Sequence, residues 1–394
     1  MLNTSFSPWP SYSEDEAEAV RRVIGSNRVN YWTGSECREF EKEYAVWAGA
    51  GHAIAVANGT LALDLALKGL GICVGDEVIV TPRTFIASVS TVITAGAVPV
   101  FADVDPESGN ISPETIARVI TQKTKAIICV HLAGWPCDMP GIIALARERG
   151  IFVIEDCAQA HGARIDGRMV GTWGDVGAWS FCQDKIITTG GEGGMVTTND
   201  PALWSRMWSY KDHGKSWEAV YHRQHPPGFR WLHESIGTNW RMLEMQATIG
   251  RLQLGRMVEW TAARTRTASK YAEVCRQHPD VIRVPWPRDG VTHAFYRFYA
   301  YIRPEGLAPG WSRDRIIFAL TERAVPAYLG SCSEVYLEKA FEGSPSRPIC
   351  RLPVAAQLGE TSLMLLVHPT LTIEEINLTC TALDDVLSQA TRSR

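Results

Sequence analysis

Residues 53–70, AIAVANGTLALDLALKGL, read as one complete unit of an alternating fold. Residues 53–57 form an apolar run of strand length, Asn58-Gly59-Thr60 is a turn, and residues 61–70 repeat their leucines at helical spacing. The same unit recurs downstream. Apolar runs at 77–80, 98–102, 125–130 and 151–154 alternate with helical patterns at 86–95, 113–120 and 141–149, and a further strand at 175–181 follows. Strands separated by helices need crossover connections, which predicts an α/β fold with a mostly parallel central sheet flanked by helices.

The ends of these runs are polar. The strands run out into Asn58-Gly59-Thr60, residues 81–85, Asp103, His131 and Asp156. Open α/β sheets bind ligands at the carboxyl ends of their strands, so a site is expected there. Before this region, Ser13 and Glu16 make a capping box for one helix, and residues 36–48 make another. Between them lies Val29-Asn30-Tyr31-Trp32-Thr33-Gly34, whose aromatics read either as a docking strap or as a substrate-lining segment. After it, residues 211–235 lack clean periodicity, and such a long irregular stretch is usually functional or a subunit contact. Residues 244–275 read as long helical material, and the remainder mixes strands and helices. The expected division is a large domain at 1–255 and a smaller C-terminal α+β domain at 256–394.

Composition narrows the function classes. The chain has 394 residues, 45% hydrophobic and 21% charged, with a formal charge of −4, which argues against a polyanion such as nucleic acid as the main partner. No apolar run reaches the length of a membrane span, and residues 1–10 carry neither a basic nor an apolar targeting region, so a cytoplasmic location is expected. The ten cysteines are scattered without a CxxC pair, and no HExxH occurs, so no metal site is expected. Neither GxGxxG nor GxxxxGK[ST] is present.

Four features at the loop ends share one chemistry. Lys185, in WSFCQDKIITTGGEGG at 179–194, is an amine in a turn ahead of a glycine-rich segment, a setting in which it can attack a carbonyl. Asp156 closes a buried strand and needs a cation to offset its desolvation, as a pyridinium nitrogen would. Phe85 offers a ring to stack on. Asn58-Gly59-Thr60 opens a helix, a seat for a phosphate. Alone, each has a bland reading as solvated lysine, structural acid, core ring or plain cap. Together they are what pyridoxal phosphate requires.

The segments SFCQDKIITTGGEGGMVTTND, EDCAQAHGA, ANGTLALDLAL and GTNWRMLEMQATIGRLQL resemble the motifs of the nucleotide-sugar aminotransferases of the DegT/DnrJ/StrS type, which are fold-type I pyridoxal phosphate enzymes. The resemblance runs over nearly the whole chain. It implies that Lys185 binds the cofactor covalently, Asp156 pairs the ring nitrogen, Gln159 lies beside the ring and Phe85 stacks on it. It also implies a phosphate held at Gly59, Thr60 and Ser180, with Asn239 reaching over from a second subunit of a homodimer. L-glutamate would be the amino donor, leaving pyridoxamine phosphate as the intermediate form that aminates a keto sugar.

The whole-chain likeness is to members that act on UDP-linked 4-keto-6-deoxy-N-acetylhexosamine. Alternatives are a 3-keto dTDP-sugar, a keto-cyclitol, or a cofactor-binding regulator without turnover. Dehydrating relatives carry histidine at the lysine position, and Lys185 argues against them. Tyr31, Trp32 and Thr33 are expected to line the substrate, and Lys215 and Arg230, with Lys211 and Arg223, to grip a diphosphate or else stand in solvent. Cys182-Gln183-Asp184 and Arg83 depart from the common pattern and are expected to alter the substrate-side walls.

Overall fold

Every expected strand and helix of the alternating region forms in the computed structural model, which describes residues 6–392. In chain order come β1 (His52–Val56), β2 (Glu77–Val80), β3 (Val98–Phe101), β4 (Thr124–Val130) and β5 (Phe152–Asp156). Then follow a short ribbon of β6 (Arg164–Ile165) and β7 (Arg168–Met169), and β8 (Val176–Ser180) and β9 (Gly194–Thr198). Seven of them make one sheet in the order β1-β9-β8-β5-β4-β2-β3. Pairing is parallel from β3 through β8, and β9 alone runs against its neighbours.

The sheet is apolar on both faces because helices cover both. On β4, Ala126, Ile128 and Val130 enter one hydrophobic cluster, while Ile127 and Cys129 enter another. This is the alternation that a strand imposes. The helices Gly59–Gly69 and Ala87–Thr94 return the chain between strands, and the expected helix at 113–120 is shorter, at Pro113–Ala117.

The expected helical stretch at 244–275 is two helices, Glu244–Gly255 and Met257–Cys275, that break at Arg256. The first packs on the N-terminal helices Glu14–Gly25 and Glu36–Ala48. The second begins with Met257 and Trp260 in the core of the large sheet, and continues with Ala268 and Tyr271 in a separate apolar cluster. That cluster underlies a second sheet. Of β10 (Ile282–Arg283), β11 (Val291–Thr292), β12 (Phe298–Ile302), β13 (Ala327–Tyr328) and β14 (Ser362–Leu365), four pair antiparallel in the order β10-β12-β14-β13. β11 instead joins the β6-β7 ribbon, so the C-terminal part is laced by backbone hydrogen bonds to the segment between β5 and β8.

The irregular stretch after Lys211 contains one short helix, Trp217–Tyr221, and is tied down by bridges from Lys215 to His233 and from Asp212 to Asn239. Phe229, Trp231 and Ile236 on it are exposed.

Candidate active site

Lys185 leaves β8 in a turn closed by its own N–H on the Cys182 carbonyl, 3.0 Å. The Trp9 indole donates to the Lys185 carbonyl at 2.8 Å and pins the turn from the N-terminal segment. The Lys185 Nζ lies 3.4 Å from Asp184 and 5.2 Å from the centre of the Tyr296 ring, with 16% of the side chain accessible. Asp184 also accepts the Tyr296 hydroxyl and faces Arg297 at 3.9 Å. Burial by itself lowers the lysine pKa, but the charges of Tyr296 and Asp184 outweigh it and raise it. Burial pushes Asp184 the other way, and Lys185, Tyr296 and Arg297 hold its carboxyl below the usual range. The amine therefore rests as an ammonium paired with the preceding residue.

Asp156 closes β5 and is 6% exposed. Its carboxylate accepts the Ser88 hydroxyl at 2.7 Å and the Ala158 N–H at 3.1 Å, and Thr84 backs Ser88 at 2.8 Å. Burial raises its pKa against these two bonds and the Lys185 charge. It is a carboxylate short of positive partners.

Glu155, one residue earlier, faces the opposite way, as strand alternation requires. It accepts three backbone N–H groups, from Gly171, Trp173 and Gly174 at 2.7–2.8 Å, and pairs with His131 at 3.1 Å. Burial alone would lower the His131 pKa, but its bonds to Cys157 and Glu155 lift it to about 10. The His131 backbone N–H also donates to the Asp156 carbonyl, 3.1 Å. His131 thus sits behind the strand end that carries Asp156.

Gln159 turns its side-chain oxygen onto the Ala133 N–H at 2.7 Å. It lines a cavity of about 510 Å³ together with Lys185, Asp184, Phe85, Tyr296 and Arg297. Phe85 is 69% exposed. So large an apolar surface on a cavity wall calls for a flat partner.

At the helix Gly59–Gly69, Asn58 caps the first turn by accepting the Leu61 N–H at 2.9 Å. The amides of the first turn point outward there. A Cβ on Gly59 would stand 2.5 Å from the Ser180 Cβ, so only glycine lets Ser180 reach this seat.

These residues fit pyridoxal phosphate. A carboxylate short of cations, an exposed phenyl ring, a buried primary amine and a helix start beside a serine hydroxyl are the complement of its ring nitrogen, ring face, aldehyde and phosphate.

The match to known proteins decides the family. The model of the DegT/DnrJ/EryC1/StrS aminotransferase family matches residues 10–384. The chain belongs to that family. Aminotransferases of the DegT/DnrJ/EryC1/StrS family use pyridoxal phosphate, and this chain is a pyridoxal phosphate-dependent aminotransferase of the same kind. It is 36% identical to the GDP-perosamine synthase of Escherichia coli O157:H7, over 96% of this chain and 97% of that one. It is 38% identical to the UDP-N-acetyl-3-dehydro-alpha-D-glucosamine 3-aminotransferase of Acidithiobacillus ferrooxidans, over 88% of each. An aminotransferase structure from Psychrobacter cryohalolentis matches with a TM-score of 0.97 and 61% identity, covering 98% of this chain and 99% of that one.

Other expected site residues lie apart from the Lys185 cavity. Asn239 is exposed on the far side of the bridge to Asp212. Tyr31 is a core residue: its hydroxyl donates to Glu41 and accepts from the Trp208 indole, each at 3.1 Å, so it offers no wall to a substrate. Trp32 donates to Asp212 at 3.3 Å and stacks with Tyr221, and Thr33 is exposed. Lys215 pairs with Asp212 at 3.2 Å, Arg223 pairs with Glu234, and Arg230 is exposed. Lys211 does not stand in a solvated loop. It is fully buried with its amine 3.5 Å from the centre of the Tyr31 ring, and burial lowers its pKa.

Arg83 is likewise not on the cavity wall but buried behind Tyr299, which is. Asp184 does line the cavity wall, as expected of the segment 182–184, while residues not foreseen at the site are Ser88, Tyr296 and Arg297. The run Phe295-Tyr296-Arg297-Phe298 reads simply as strand, but the strand begins at Phe298, and the residues before it are held to the turn after β4 by the Ala294 and Tyr296 N–H groups, which donate to the Gly134 and Ala133 carbonyls.

Proposed function

We propose that this enzyme transfers the amino group of L-glutamate to a keto group of a nucleoside-diphosphate sugar, a UDP-linked 4-keto-6-deoxy-N-acetylhexosamine, in the cytoplasm. The observation that carries the reading is one cavity holding the Lys185 amine beside Gln159 and the bare face of Phe85. Pyridoxal phosphate, when bound, draws electrons from the carbon that carries the transferred nitrogen.

The protein's residues do the rest. Asp156, backed by Ser88 and Ala158, keeps a proton on the ring nitrogen, since a shared proton relieves its own desolvation. Gly59, Thr60 and Ser180 seat the phosphate, and Phe85 and Gln159 keep the ring flat. Lys185 Nζ, once released, takes a proton from the donor carbon and returns it on the other half-reaction. Asp184 and Tyr296 set its charge between those steps.

A second subunit completes the site by bringing Asn239 to the phosphate. Exposed Phe229, Trp231 and Ile236 on the neighbouring segment give that subunit an apolar face to cover. Trp32, Thr33, Lys215 and Arg230 flank the same segment and serve the nucleotide end of the substrate.

Mass spectrometry of products from UDP-, dTDP- and GDP-linked 4-keto sugars, 3-keto sugars and a keto-cyclitol with nitrogen-15 glutamate tests the substrate. Label in the UDP-linked amino sugar supports the proposal. Label only in a 3-amino product, in an amino-cyclitol or with another nucleotide rejects it.

A further inference from the structure

Asp212 is fully buried, and one of its oxygens, Oδ1, accepts from three parts of the chain: the Trp32 indole at 3.3 Å, the Lys215 amine at 3.2 Å and the Arg241 guanidinium at 2.8 Å. Its other oxygen has no hydrogen-bond partner among the described residues. Burial lowers the pKa of the neighbouring Lys211 amine, and the charges of Glu41 and Asp212 oppose that fall. A carboxylate with cations on several sides is a strong tie, because charge-assisted bonds gain from the low polarity of a buried place. This one does not line the Lys185 cavity.

What it ties down is the chain on either side of Asn239. Asp212 and Asn239 face each other across an antiparallel bridge. The Thr238 N–H donates to the Tyr210 carbonyl at 2.8 Å, the His213 N–H to the Thr238 carbonyl at 3.0 Å and the Trp240 N–H to the Lys211 carbonyl at 3.1 Å. The two segments come so close that a Cβ on Gly237 would stand 2.5 Å from the Gly214 nitrogen and from the Tyr210 oxygen. On the other side, the Trp240 carbonyl accepts the Ala57 N–H at 3.0 Å, and Arg241 bridges to Val56 at the end of β1. Asn239 is exposed between these ties. Its side-chain oxygen accepts the Arg241 N–H at 3.4 Å, which leaves the NH2 end of the amide, the end that donates to anions, for an outside partner. Arg241 is thus held twice: its backbone orients Asn239, and its guanidinium is gripped by Asp212.

We propose that Asp212 is a positioning residue: by gripping Arg241 it fixes the amide of Asn239 for the phosphate of the cofactor held by a second copy of the chain. This rests on the reading that Asn239 crosses to the other subunit's phosphate. A donor held in place before its ligand arrives binds more tightly than one that must first be ordered, and the loss on freeing it falls on the group it contacts. Loosening Asp212 therefore weakens the hold on the phosphate and spares the hold on the ring.

The test is titration of the full chain, stripped of cofactor, with pyridoxal phosphate and separately with pyridoxal, which lacks the phosphate, followed by absorbance. Asp212→Asn keeps an oxygen for the three donors but drops the charge, and affinity for pyridoxal phosphate should fall roughly tenfold while affinity for pyridoxal is unchanged. Asn239→Ala should show the same pattern. The double variant should bind no more weakly than Asn239→Ala alone, since nothing is left to position. Arg241→Gln breaks the tie from its other end and serves if the Asp212 variant misfolds, and light scattering checks that each variant keeps the size of the wild type. Equal losses for both ligands, additive losses in the double variant, or wild-type affinity in Asp212→Asn and Arg241→Gln overturns the proposal. Wild-type affinity in Asn239→Ala overturns the reading beneath it as well.

Discussion

Lys185 Nζ sits 3.4 Å from the carboxylate of Asp184, its own chain neighbour, and that carboxylate is held in turn by Tyr296 from the C-terminal part of the chain. The pair sets the charge of the amine. Replacing Asp184 with Asn removes a charge that raises the lysine pKa, so burial acts with less opposition and the pKa falls. Cofactor capture needs the neutral amine. The midpoint of its rate against pH should therefore move to lower pH in the variant, measured by absorbance on adding pyridoxal phosphate to the apoenzyme; an unmoved midpoint contradicts the pairing.

Asp156→Asn separates stability from catalysis. The raised pKa means that the folded apoenzyme holds this proton more tightly than the unfolded chain, so stability is lost as pH rises through the folded value. At neutral pH the Asn variant without cofactor should melt at or above the wild type. With cofactor its turnover should fall on the order of a hundredfold, as losses of a charge-stabilising group do. Calorimetry and steady-state rates check both halves.

The alternating strands and helices were readable before any coordinates because each local run carries its own period, and the loop ends Asn58-Gly59-Thr60 and Asp156 follow from those runs. Tyr31 and Lys211 were not readable. An amine packed on a buried ring looks, in sequence, like a polar residue in a loop, and only the folding of the helix Pro201–Lys211 against the N-terminal segment makes it core. Tyr296 and Arg297 escaped for a different reason, since a three-residue run ahead of a strand keeps the strand's composition.

Gly59→Ala should destabilise by about 1–3 kcal/mol, the usual cost of forcing an atom into a packed place. The added Cβ meets the Ser180 Cβ at 2.5 Å, and the variant should also bind cofactor more weakly. Urea unfolding and a cofactor titration measure the two effects; unchanged cofactor affinity would remove this turn from the phosphate seat.

His131 should make alkaline stability pH-dependent. Its folded pKa of about 10 is above the ordinary value of 6.5, so its contribution is complete below 6.5 and is lost as pH rises through about 10. The wild-type unfolding midpoint should fall across that window, and His131→Gln should show a flatter, lower curve. Parallel curves would mean that His131 is neutral in the fold.

The central claim is that Lys185 is the residue joined to the cofactor. Borohydride reduction of the holoenzyme followed by peptide mapping tests it most directly. The account predicts a single pyridoxyl-bearing peptide containing Lys185, and its absence from Lys185→Ala. A stoichiometric adduct on any other lysine would contradict the account.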